Sequence, residues 1–411
     1  VSITSKTIFT FASDLADEGV DHVLGNVQDR AGLDGIVMTT VYHAARDLFP
    51  HNPRRRVSYI PGGRVYFRPD RSRYRDLSIE PVVDSLVLER DVLAEACELG
   101  GDRGMQVGAF VVYLHADRYE FPKLSTVNAF GDVYVTDLCP SNPEVRAYVR
   151  AITGDLARYD IDRVFAESLN FQPIEHGFHH ERYAITLDGT SRYLLGLCFC
   201  VHCSREARDR GVDPVAVQRE VRERLARSFA EEGGNGPAEV TREGLSKLAD
   251  GELLRYLDMR SEVVSSLVEE VVEVLETEGK RLVFLDFSGG VKGYVSGAPE
   301  GAAAADIGWQ FGIDLERIQR ACGEVAVVGY AAAAERLRLD LETYRTVLGE
   351  GTTVVLRPVL PDCDSSENLV EKVGLVNSLG IERVAFHSYG LMRLSGLEWI
   401  RQALENVGGT W

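Results

Sequence analysis

Short, nearly continuous apolar runs recur along the chain. Each is followed by a stretch in which apolar residues return every third or fourth position. Eight runs stand out: TIFTF (7–11), GIVMTTVYH (35–43), MQVGAFVVYLH (105–115), RVFAES (163–168), RLVFLDF (281–287), VAVVGY (325–330), TTVVLRPVL (352–360) and RVAFHSY (383–389). Runs rich in Val, Ile, Leu and Phe without alternation are the pattern of parallel strands buried on both faces. The stretches between them carry helix punctuation. In SNPEVRAYVRAITGDLARYD, Asn142 is a cap and Pro143 takes the first helical position. SSENLVEKVGLVNSLG starts on a Ser cap and closes at Gly380, and SGLEWIRQALENVGG supplies a last helix. Two short Ala runs, GAAAADIG and YAAAAERL, read as helix starts or packing near a rim.

Eight strands alternating with helices predict a single-domain α/β (β/α)8 TIM barrel over residues 1–411. A doubly wound open sheet is the other architecture of this rhythm, but no Gly-rich phosphate loop follows the first strand. Two long insertions interrupt the alternation, after strands two and four. Residues 44–103 include PHNPRRRVSYIPGGRVYFRPD, which predicts a long loop with a hairpin turned at Pro61-Gly62-Gly63. Residues 169–262 hold a cysteine cluster and a charged helical excursion, VDPVAVQREVRERLARSFAEEGGNGPAEV, with EEGGNGP as its exposed turn.

Charge narrows the partners. With 45 Lys+Arg against 63 Asp+Glu, the net charge is −18. Such a surface repels phosphate backbones and anionic lipid, which argues against nucleic acid and membrane and for a small-molecule or carbohydrate substrate. No apolar run is long enough for a transmembrane helix, and the N-terminus shows no signal pattern. Arg54, Arg55 and Arg56 read as a solvated loop or as a site for an anionic substrate group. Seven cysteines are an odd number, so a disulfide scaffold is not expected and a reducing cytoplasm fits.

Three of those cysteines fall in LCFCVHC: Cys198, Cys200 and Cys203. Their spacing suits a tetrahedral thiolate site for zinc, which needs a fourth ligand. Cys139, in LCPSNPEVR, is one choice; His202 is the other, but it adjoins Cys203 and would strain the site. Four thiolates leave no open position, so such a zinc is structural.

Chemistry in a barrel of this kind gathers where the strands end. The polar residues there are Tyr42 and His43 after strand two, His115 and Asp117 after three, and Glu167 and Asn170 after four. Asp286 follows strand five, Tyr330 six, Arg357 seven, and His387 and Tyr389 eight. Tyr42, Tyr330 and Tyr389 end strands and are candidates to stack on substrate.

CPSNP followed some sixty residues later by C-x-C-x-x-C resembles the zinc-cysteine arrangement of the family forty-two β-galactosidases, (β/α)8 glycoside hydrolases of a large retaining clan. TVYHAARDLFPHNPRRRVSYIPGGRVYFRPD, ESLNFQPIEHGFHHERY and LGLCFCVHC are similar to an uncharacterised actinobacterial family of glycoside-hydrolase-like barrels, up to about residue 210. The resemblance implies a glycosidase fold with Glu167, at the end of strand four, as acid/base. The chain departs from the clan in two places. Ala166 stands where the clan has Asn before the acid, and strand seven offers Arg357, with Asp362 and Asp364 further out, in place of the nucleophilic Glu.

Glycoside cleavage takes two carboxyl groups across the bond. Asp286 is the expected partner of Glu167, with His43, His115, Asn170, His176, Arg357, His387 and the strand-end tyrosines positioning a sugar or sugar-like substrate. His43, His51, His115 and His387 with Glu167 and Asp286 also suggest a metal-dependent lyase, isomerase or hydrolase, although no H-x-H or H-E-x-x-H spacing anchors an ion. In EHGFHHER, Glu175, His176, His179, His180 and Glu181 read as a metal loop or a sugar-binding lid. The missing strand-seven glutamate leaves a non-catalytic carbohydrate-binding barrel as a third reading.

Overall fold

The computed structural model describes residues 3–174, 182–230, 239–289 and 301–408. The apolar runs form eight parallel strands: β1 (Ser5–Thr10), β2 (Gly35–Tyr42), β3 (Gln106–Val112), β4 (Arg163–Glu167), β5 (Arg281–Asp286), β6 (Val325–Val328), β7 (Thr352–Leu356) and β8 (Arg383–Phe386). Each pairs in parallel with the next, and β1 pairs with both β2 and β8, so the sheet closes into a barrel. The open-sheet alternative is thereby overturned.

Strand residues divide by parity into two cores. One side packs in the lumen, where Phe9 meets Phe110 and Phe165 edge-on with ring centroids 5.1 and 5.4 Å apart. The other packs beneath the surrounding helices. The expected helices occupy Pro143–Leu156, Ser366–Ser378 and Ser395–Gly408. Asn142 and Ser365 cap the first two through hydrogen bonds from Glu144 N and Asn368 N. The excursion after β4 includes the helix Pro214–Ala230, but the turn EEGGNGP lies outside the described residues.

The insertion after β2 pairs differently from expectation. Val57–Ile60 runs antiparallel to Ala45–Leu48, and Arg64–Val65 pairs with the end of β2. Pro61-Gly62-Gly63 therefore joins two different pairings and does not turn a hairpin; the turn is residues 49–56. Glycine is required at 62 and 63 by crowding. A Cβ on Gly62 would lie 2.2 Å from Asp117 Oδ2, and Gly63 adopts φ +65° beside Ala116 and Arg118. A second hairpin, Ser125–Val127 with Val133–Leu138, follows β3. The sequence pattern does not point to it, because VYVTDL after Gly131-Asp132 does not alternate apolar with polar residues.

Candidate active site

The side-chain parity of β4 and β5 decides the central question. Phe165 points into the lumen, so Glu167, two residues on, points the same way. In β5 the lumen residues are Val283 and Leu285. Asp286 therefore turns outward. Its Oδ2 accepts from Tyr344 OH at 2.6 Å, on the helix Ala334–Leu348, and its Oδ1 accepts from Ser288 N and Oγ at 3.0 and 2.6 Å. The expected carboxylate pair is not formed: Asp286 is a fully buried acid tying the strand to its covering helix. Burial raises its pKa, and the Ser288 and Tyr344 hydrogen bonds oppose that shift. Asp286→Ala leaves Tyr344 OH and Ser288 without their acceptor. It should cost about 2–4 kcal/mol in urea unfolding and leave kcat of the folded protein within a few fold. A thousandfold fall in kcat at unchanged fold would return Asp286 to the chemistry.

Glu167 is 6% exposed. Among the described residues no hydrogen bond or ion pair engages its carboxyl, and burial alone pushes its pKa up to about 8. The backbone around it is held: Tyr113 N and Leu114 N donate to the carbonyls of Glu167 and Ser168. Ser168 and, after β3, Asp117 take left-handed φ of 56° and 48°. Non-glycine residues in that region cost energy and cluster at functional sites.

At the same end of the barrel the strand ends bring imidazoles and aromatics together. His43 stacks on Tyr42 (4.2 Å, 26°) and on His115 (4.7 Å, 11°). His43 Nδ1 lies 2.9 Å from Ala44 O, while Asp117 Oδ2 accepts from Ala44 N at 2.6 Å. His387 lies 5.5 Å from Phe9 and 6.2 Å from Tyr330. Arg357 sits 4.3 Å over the Tyr330 ring and pairs with Asp362. Burial pushes His387 down to about 3, aided by the charge of Arg357, and lowers His43 as well. Burial thus favours the neutral form of both rings and the protonated form of Glu167.

Other expected site residues lie elsewhere. Tyr389 is fully buried outside the lumen: its hydroxyl donates to Glu18 Oε2 at 2.8 Å and accepts from Asn26 Nδ2 at 2.9 Å, so it cannot stack on substrate. His51 leaves the mouth for Glu18 and the Tyr389 carbonyl. Arg55 pairs with Asp17 at 2.5 Å, which removes it as an anion site. Asn170 is buried and donates to Phe171 O at 2.9 Å. His176 and the rest of the EHGFHHE run lie outside the described residues. The acids Asp14 and Glu18 near this network escaped sequence reading, although their four-residue spacing puts both on one helix face.

Cys139, Cys198, Cys200 and Cys203 converge, with sulfurs within 4.8 Å of one another. Cys139 Sγ lies 3.5 Å from Cys200 Sγ and from Cys203 Sγ, and 3.9 Å from Cys198 Sγ. Cys139, and not His202, completes the group, which could bind a metal ion. Among the described residues, it is the one cluster of three or more such donors; the barrel-mouth histidines and acids do not converge in this way. Val127 N and Cys203 N point at Cys198 Sγ and Cys200 Sγ (3.4 and 3.5 Å), the pattern that favours thiolates.

Comparison with solved structures agrees with the fold. A β-galactosidase from the psychrophilic Marinomonas ef1 superposes with a TM-score of 0.56 at 10% identity, over 98% of this chain and 59% of that one. The chain thus spans about three fifths of that structure. GH5_18 from Streptomyces cattleya in complex with GlcNAc gives 0.46 at 12% identity, over 99% and 81%. The D-psicose 3-epimerase of Clostridium cellulolyticum H10 gives 0.40 at 9%, over 98% and 97%. No protein-family model and no curated protein matches the chain. No helix among the described residues is long and apolar enough to cross a membrane.

Proposed function

We propose that the protein is a glycoside-hydrolase-like enzyme in which Glu167 donates a proton to the leaving oxygen of a sugar or sugar-like substrate, and water then bonds to the anomeric carbon and returns its proton to the Glu167 carboxylate. The observation that carries this reading is one buried carboxyl, facing the lumen, with its pKa raised to about 8 and no described side chain bound to it. A carboxylic acid still protonated at neutral pH is what leaving-group protonation requires. The neutral imidazoles of His43 and His387 and the Tyr330–Arg357 stack supply hydrogen bonds and an aromatic face for hydroxyl-rich rings. The likeness to the Marinomonas β-galactosidase supports the fold on which this reading stands.

The four cysteines fit zinc. A Zn–S bond of about 2.3 Å in a tetrahedron sets the sulfurs about 3.8 Å apart, against 3.5, 3.5 and 3.9 Å here. Four thiolates fill the coordination sphere, so the ion would brace the hairpin after β3 against the segment preceding the helix Val201–Asp209.

The functional reading is tested with a panel of nitrophenyl glycosides of varied sugar and anomeric configuration. Aglycone release by the protein, and none by Glu167→Gln, is expected. Saccharide binding with no product from any member would make the barrel a lectin-like binder.

A further inference from the structure

The turn of the hairpin after β2 (Ala45–Leu48, Val57–Ile60) docks between the helix Ala12–Glu18, where Asn52 and Arg55 meet Asp17, and the turn after β8, where His51 meets the Tyr389 carbonyl. Phe49, at the start of the hairpin turn, packs edge-on against Phe11 at 5.4 Å, and Phe11 in turn lies 6.4 Å from His387. The hairpin turn is therefore in contact with a ring that touches the candidate site.

His51 makes the dock. Its Nε2 lies 3.0 Å from the carbonyl oxygen of Tyr389, and its Nδ1 lies 3.0 Å from Glu18 Oε1, an ion-pair contact whose geometry makes no hydrogen bond and in which both atoms are buried. A carbonyl can only accept, so Nε2 must carry a proton. Asn26 donates to Tyr389 OH and Tyr389 OH donates to Glu18 Oε2, which favours the ionised carboxylate and leaves its Oε1 facing His51. A lone pair on Nδ1 facing that carboxylate would be repelled, so Nδ1 also carries a proton. Both nitrogens protonated means an imidazolium.

We propose that His51 is a positioning residue acting as a charged clasp: as an imidazolium it fastens the hairpin turn to the β8 turn, sets Phe49 and Phe11 against His387, and lets go when it loses its proton. The clasp itself stands on geometry alone; its bearing on turnover rests on the glycosidase reading above.

The groups facing His51 set the pH of release. Burial works against the charged ring, but Glu18, the Tyr389 carbonyl and the charge of Asp14 outweigh it, and its pKa lies above the ordinary histidine value. Asp14, which burial pushes up to about 7, gains charge in the same range and holds the imidazolium longer. Asp17 is met by Arg55 and Asn52, and Arg54 lies 3.9 Å away, so it does not compete. His22 is turned to Asn26 at 3.1 Å. A raised histidine pKa gives stability that is full below about 6.5 and is lost as pH climbs through the folded value.

Hydrogen–deuterium exchange on the full chain tests this, with rates corrected for the intrinsic pH effect. Protection of residues 45–60 should fall about tenfold or more between about pH 6 and pH 9, while the helix Pro143–Leu156 stays protected. Glu167→Gln should behave as the wild type does, so the clasp can be confirmed even if no glycoside is turned over. His51→Gln should be poorly protected at both pH values. Glu18→Gln, the milder change, should flatten the dependence if His51→Gln does not fold. Protection of 45–60 that ignores pH in the wild type, or keeps its pH dependence in either variant, would overturn the clasp.

Discussion

Glu167→Gln should lower turnover about a thousandfold and, near pH 8, make the protein more stable than the wild type. The two effects have one cause. Glutamine keeps the shape and some hydrogen bonding of the acid but has no proton to give. Losing a general acid typically costs two to four orders of magnitude. The stability gain follows from linkage. The acid is raised from 4.5 to about 8 in the folded protein. Below pH about 4.5 it is neutral folded or unfolded, and the variant should match the wild type. As pH rises toward 8 the unfolded acid is ionised while the folded one is not, and the wild type loses stability that the amide keeps. The gain should reach a few kcal/mol in urea unfolding. Turnover within tenfold of wild type would remove Glu167 from the reaction, and a variant less stable at every pH would mean that its carboxyl serves the fold.

Removing one thiol of the cysteine cluster should cost on the order of 3–5 kcal/mol. The wild type is expected to carry one zinc per chain by elemental analysis. Cys200→Ser should lose it and melt at a markedly lower temperature. All four sulfurs are close-packed, and three of the residues are almost fully buried. Without the ion these thiolates would repel one another in a site that excludes water. Proteolysis should then begin in the hairpin after β3 and the segment around Cys198, the two parts that a bound ion would join. A chain without bound metal and a Cys200→Ser variant of unchanged melting temperature would together refute the zinc.

The strands were legible because a parallel barrel needs unbroken apolar runs, and VAVVGY or RVAFHSY can serve little else. Which side of a strand a residue faces was not legible. FLDFSGG shows an acid at a strand end, but only the register of the closed sheet places Leu285 in the lumen and Asp286 against Tyr344. Parity alone would put His387 and Tyr389 on one side, but the strand ends at Phe386 and the turn Tyr389–Leu391 carries Tyr389 out of the lumen. Turn chemistry misled at Pro61-Gly62-Gly63, where the glycines answer to a close approach by Asp117 and not to a hairpin. Cys139 was legible as the fourth thiol from its place in LCPSNPEVR just ahead of a helix, and its sulfur does lie beside the other three. The clasp of His51, Glu18 and Tyr389 joins residues over three hundred positions apart, which no local pattern announces.

The proposed chemistry depends on Glu167 holding its proton at neutral pH inside the lumen. Selective 13C labelling of glutamate carboxyls, with Glu167→Gln to assign the resonance, follows that proton directly. A midpoint near 8 is expected, coincident with the alkaline limb of the pH–rate profile. A midpoint near that of free glutamate, about 4.3, would contradict that chemistry.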